Sequence, residues 1–239
     1  ILLLYLMSNQ NVLNLTDIDL NEIIKVLITF FVRRNVTDVP NTRKLTQLFM
    51  DIIAEVKLLQ GNSIVQVVHD RLQAVSAPDS LFEDKLRGPV YDENPEAARF
   101  ILCSIEAQHQ TKEIYADLWS RDNNKKYVWT IEHVFPEGEN IPNCWVNMIA
   151  GGNMDLAKQY RVEYVHTIGN LTITGYNQTL SNLSFEKKKN RINKDGNYVG
   201  YKNGLKLNDD IVSLNVWTVD DIINRTDKLV NYFTNEFTL

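Results

Sequence analysis

The chain has 239 residues, 44% hydrophobic and 23% charged, the balance of a globular protein that can bury a sizeable core and not of a disordered or fibrous one. Its formal charge of −5 lacks the basic excess usual in nucleic-acid binders, but the charge is unevenly placed and does not exclude DNA as a partner. Cys103 and Cys144 lie far apart and form no Cys-x-x-Cys pair, which argues against a zinc ribbon or disulfide framework and fits a reducing cytoplasm.

The apolar opening, residues 1–7, is too short for a membrane span or a signal peptide. It reads as the cut first helix of a longer protein, and no membrane-spanning segment is expected anywhere. Thr16 or Asp17 can cap a helix with Leu20, Ile23, Ile24, Leu27, Ile28 and Phe31 on its inner stripe. After the turn at Pro40, Asn41 or Thr42 can cap a second helix that turns Leu45, Leu48, Phe49, Ile52, Ile53 and Val56 inward. Gly61-Asn62 breaks it. A shorter helix over about 64–74, a loop at Pro78 and a helix over 96–110 follow, so residues 17–121 read as all-α.

The character changes at the polar turn 121–126. Residues 127–131 read as a strand, 137–152 as loop, 154–164 as helix, 168–174 as a second strand and 180–193 as a short helix. Residues 196–207 are loop-like, and Thr218 caps a closing helix over 219–233 whose first turn carries Asp220 and Asp221. The expected fold class is therefore α+β, a mostly helical bundle with a small embedded ββα-metal unit.

The chemistry concentrates where the first strand ends, at Glu132-His133-Val134-Phe135-Pro136. An acid can hold a divalent cation while the adjacent imidazole takes a proton from water. The second strand ends in a Gly-Tyr turn that delivers Asn177, a neutral oxygen donor. On this reading His133 is general base, Glu132 and Asn177 ligate Mg²⁺ or Mn²⁺, and Lys187, Lys188 or Lys189 holds phosphate. His166, near the second strand, is a further candidate for phosphate or the leaving group. One condition is geometric: neighbours on a strand face opposite ways, so the chain must turn before Pro136 for Glu132 and His133 to share a site.

Three stretches together resemble the HNH-type nuclease domain at the C-terminus of GmrSD-type restriction proteins: Glu132 to Pro136, Ile168 to Thr174, and Asn177 to Lys188. The helical lead-in, notably residues 31–35, and the tail 217–225 are similar to the same proteins. The resemblance implies metal-dependent DNA cleavage in bacterial defence against phage or modified DNA. Carried over by position, His133 is the motif histidine, Asn170 the structural asparagine of the second strand, and Asn177 the final metal-side residue, with Asn182 as the alternative. It also implies an N-terminal ParB-like nucleotide-hydrolysing domain as partner, whose Asp-Gly-Gln-Gln-Arg motif does not occur in this sequence. The division expected is 1–121 helical connector, 122–195 nuclease core and 196–239 C-terminal loop and helix, with homo-oligomerisation left open. The rival reading is a catalytically inactive DNA- or protein-binding module that keeps the fold.

Overall fold

The computed structural model describes residues 1–239. Its elements in chain order are α1 (Leu2–Ser8), α2 (Asp17–Thr37), α3 (Thr42–Val56), α4 (Asn62–Gln73), α5 (Asp79–Arg87), α6 (Val90–Glu93), α7 (Pro95–Ala107), β1 (Thr130–His133), α8 (Asn143–Ala150), α9 (Met154–Tyr164), β2 (Leu171–Thr174), α10 (Asn177–Leu180), α11 (Phe185–Lys189), α12 (Asp209–Ser213) and α13 (Val219–Glu236). The protein is α+β: mostly helical, with one two-stranded antiparallel sheet. No helix is long and apolar enough to cross a membrane.

The chain divides into two compact units, residues 1–85 with 234–239, and residues 86–233. Within the second unit α7 ties itself to the later chain. The Arg99 guanidinium donates to the carbonyls of Leu118 and Trp129 and lies 3.7 Å from the Tyr127 ring centre, while Glu106 accepts the backbone N–H of Leu207 at 2.8 Å.

In the first unit α2 starts with a reciprocal cap. Thr16 Oγ1 accepts from the Asp19 N–H at 3.1 Å, and the Asp19 carboxylate accepts the Thr16 N–H at 2.8 Å. The inner stripe is Leu20, Ile23, Leu27 and Phe30, whereas Ile28 and Phe31 are exposed. The buried stripe thus keeps Leu20, Ile23 and Leu27 of the expected face and takes Phe30 in place of Ile28 and Phe31, on a helix that packs against α4. Ile52, Val56, Ile64, Val68 and Leu72 complete this core. The Arg33-Arg34 pair serves ion pairing, Arg33 with Asp79 and Arg34 with Asp38.

In the second unit α8 stands where a loop was expected, and α12 fills a stretch to which the sequence assigned no element. At α8, Gly151 is not the sign of a loop but a left-handed cap (φ 58°) closing a helix that buries Trp145, Val146 and Ile149. The expected helix over 180–193 is two short ones, α10 and α11, and β1 runs to His133 instead of ending at Ile131. Val134, Phe135, Trp145, Phe185, Tyr201 and Trp217 form the core beneath the sheet.

Two glycines permit close approaches that hold this unit together. A Cβ on Gly169 would sit 2.2 Å from the Ile222 carbonyl of α13, and one on Gly200 would sit 1.9 Å from the Lys188 carbonyl of α11. Either substitution would push apart backbones that touch.

Candidate active site

Strands β1 and β2 pair Thr130 with Thr174, Ile131 with Ile173, Glu132 with Thr172 and His133 with Leu171. Strand alternation is kept to the end, so Glu132 and His133 reach different neighbours. Their side chains are both buried.

Glu132 meets Lys188. The Lys188 ammonium is buried and spends its three protons on Glu132 Oε1 at 2.7 Å, the His133 carbonyl at 2.8 Å and the Val134 carbonyl at 3.2 Å. The Tyr201 hydroxyl donates to the same Oε1 at 3.3 Å. Burial raises the Glu132 carboxyl above its ordinary range, opposed by the Lys188 charge, and burial lowers Lys188, opposed by Glu132. The pair's geometry is that of an ion pair completed by hydrogen bonds, which offsets the cost of burying two charges. It also clamps the backbone on both sides of His133.

His133 meets a different set. Its Nε2 lies 3.2 Å from His166 Nδ1, and its Nδ1 lies 3.6 Å from Glu137 Oε2. Tyr91 packs edge-on against the His133 ring at 4.7 Å and stacks on the His166 ring at 5.5 Å. Burial first, then His166 and the Lys188 charge, push the His133 imidazole down to about 3, so it is neutral at pH 7.

Asn170 positions this group. Its buried amide accepts from the Phe135 N–H at 2.8 Å and from Trp217 Nε1 at 3.1 Å, and donates to the Phe135 and Val165 carbonyls at 3.0 Å each. One side chain thereby joins the segment after His133 to the segment before His166. Arg225, also buried, holds the β2 entrance through the Gly169 and Leu171 carbonyls at 2.6 and 2.7 Å.

An open cleft of about 540 Å³ lies over the strand end and is lined by Tyr91, Glu132, His133, Glu137, Asn177 and Asn182 among others. Asn177 Nδ2 donates to the Ile131 carbonyl at 2.5 Å, which anchors the side chain at the cleft. Of the expected site residues, Glu132, His133, Asn177 and Asn182 thus share one cavity, with His166 behind His133 and Asn170 beneath it. The lysines do not act together. Lys187 is exposed, Lys188 is the buried clamp, and Lys189 is buried with its ammonium on the Leu214 carbonyl.

Glu137 and Tyr91 were not expected in the site. Glu137 comes back beside His133 after the chain bends at Val134 and Phe135, just before Pro136. Tyr91 comes from α6, and nothing in its surroundings marked it in advance.

Residues 77–232 match the family described as GmrSD restriction endonucleases, C-terminal domain, which spans the second unit and all of these cleft residues. The chain belongs to that family. No curated protein and no solved structure gives a match. As a GmrSD C-terminal domain the chain has a restriction endonuclease-type function, with DNA as the implied substrate.

Proposed function

We propose that this GmrSD C-terminal domain is a metal-dependent DNA endonuclease of HNH type, in which β1, β2 and the following short helices serve as a ββα-metal unit and His133 is the general base. The observation that carries this reading is a buried, neutral imidazole opening on the same cleft as two anchored side-chain oxygens.

The donor set suits a hard cation. Both hydrogen bonds to Glu132 go to Oε1, and Asn177 is held through Nδ2, so Glu132 Oε2 and Asn177 Oδ1 remain for a ligand. Bound Mg²⁺ or Mn²⁺ supplies charge neutralisation at the scissile phosphate and the leaving oxygen. Asn177 is preferred to Asn182 as ligand because its bond to Ile131 fixes where Oδ1 points.

His133 takes the proton of the attacking water. A base held near 3 is weak, but a phosphate entering the cleft places negative charge beside the ring and favours its protonated form. Asn170 and Lys188 hold the His133 backbone so that the ring keeps its aim. Lys187, the exposed member of the basic run, contacts the DNA phosphate outside the cleft.

The test is cleavage of plasmid DNA with Mg²⁺ or Mn²⁺ by the wild type and by His133→Ala. Loss of a general base lowers the rate by about 10²–10⁴-fold. If His133→Ala cuts as fast as the wild type, His133 is not the base. The inactive binding-module reading draws on the Lys188 ion pair that already occupies one Glu132 oxygen. It wins if DNA binds with a steep salt dependence and is never cut.

A further inference from the structure

The cleft offers two chemically different sets of donors. Glu132 and Asn177 present oxygens, whereas His133, His166 and Glu137 present two imidazoles and a carboxylate whose ligand atoms all lie within 4.8 Å of one another. We propose that His133, His166 and Glu137 form a second cation site, selective for borderline transition metals such as Zn²⁺ or Ni²⁺, and that its occupation withdraws His133 from service as base. The second half rests on the endonuclease reading; the first half does not.

The spacing fits such an ion. With metal–nitrogen bonds of about 2.0–2.1 Å, two nitrogens 3.2 Å apart subtend a ligand angle of about 100° at the metal, between octahedral and tetrahedral values. Two imidazoles and one carboxylate, with a position left open to the cleft, form a recurring protein set for these metals. Nitrogen donors also rank them far above Mg²⁺, which prefers oxygen.

The cluster is built in advance. The Asn170 amide bonds to Phe135 and to Val165, tying together the segments that carry His133 and His166. Tyr91 packs against both rings, and its N–H donates to the His166 carbonyl at 3.2 Å. Only Glu137 is loose, its side chain 55% exposed, so it can close over an ion already held by the imidazoles. With His133 Nε2 on a metal and the neutral ring's proton on Nδ1, no nitrogen lone pair remains to take a proton from water. Occupation therefore stops proton transfer without touching the Glu132–Asn177 set.

The experiment is calorimetric titration of Zn²⁺ into the whole chain without DNA, for the wild type, Glu137→Ala and His166→Ala. The wild type should bind one ion, and each variant should bind it at least tenfold more weakly. Glu137 is exposed and supports no fold, so its variant keeps the test sound if His166→Ala unfolds. Unchanged Zn²⁺ affinity in Glu137→Ala and in folded His166→Ala overturns the site. A parallel plasmid assay in Mg²⁺ should lose cleavage as Zn²⁺ fills the site; undiminished cleavage by the Zn²⁺-loaded protein overturns the withdrawal of His133. If Zn²⁺ binding weakens in both variants while no DNA is ever cut, the cation site stands and the endonuclease reading alone falls.

Discussion

The two units bury different kinds of side chain. In residues 1–85 the buried polar residues are Arg33 and Thr37, and the interior is otherwise Leu, Ile, Val and Phe with Pro40 and Ala77. Residues 86–233 bury Arg99, Glu106, Glu132, His133, Asn170, Lys188, Asn208 and Arg225 among others. Each of these costs desolvation that an apolar side chain would not. Arg99, Asn170, Lys188 and Arg225 are aimed at backbone carbonyls or N–H groups around β1 and β2, where regular hydrogen bonding is short because each strand has four residues. The first unit is thus held by packing, and the second spends polar groups on fixing the irregular backbone that carries the cleft. Damage to one should cost stability alone; damage to the other should cost stability and cleavage together.

Lys188→Met is the strongest way to sharpen that contrast. It leaves Glu132 buried without its partner and frees the carbonyls of His133 and Val134, a loss of about 3–5 kcal/mol by the measure of broken buried pairs. Urea denaturation should show the loss, and cleavage by the protein that remains folded should fall as well. The matching change in the first unit is Ile52→Ala, at a fully buried position of the α3 core. It should cost about 2–5 kcal/mol while the folded protein cuts DNA at the wild-type rate. If Ile52→Ala lowers cleavage by the folded protein as much as Lys188→Met does, the two units do not divide the work as their interiors suggest.

That Lys188 belongs to the interior was legible in the sequence but easily misread. Three consecutive lysines look like a solvated face, yet on a helix begun by Phe185 the residues three and four further on share its inward side. Those are Lys188 and Lys189; Lys187 faces out. The pair Glu132-His133 was legible as a motif because its residues are adjacent, and the strand rule already said that they face apart. What Glu132 and His133 each meet was not legible. Lys188, Tyr201 and Tyr91 arrive from distant parts of the chain, and only packing brings them in. The helices α8 and α12 escaped notice for a local reason: no side-chain cap announces either.

A milder change acts through pH. The His133 imidazole is pushed to about 3 by burial and by the neighbouring His166 and Lys188, against about 6.5 in an unfolded chain. Between these values the unfolded chain binds a proton that the folded chain refuses, so stability falls as pH falls through that window and is unaffected by this group above it. From pH 6.5 to 5.5 the loss is about 1 kcal/mol. In His133→Asn this contribution should vanish, which chemical denaturation at the two pH values would show as a flatter profile. An equal slope in both proteins would mean that His133 titrates normally in the fold.

Lys187→Ala should have the smallest effect on the fold, within about 0.5 kcal/mol, because the side chain is exposed and belongs to neither interior. Its consequence is confined to DNA. Removing one phosphate contact should weaken binding similarly across sequences and lower the slope of log affinity against log salt by about 1. Lys189→Ala provides the contrast within the same run, since its ammonium is turned inward onto the Leu214 carbonyl. It should lower stability and leave the salt slope of the folded protein alone. Should the two lysines change the slope equally, inward and outward positions on α11 would not distinguish structural from DNA-contacting charge, and the basic run would act as a field and not as a single contact.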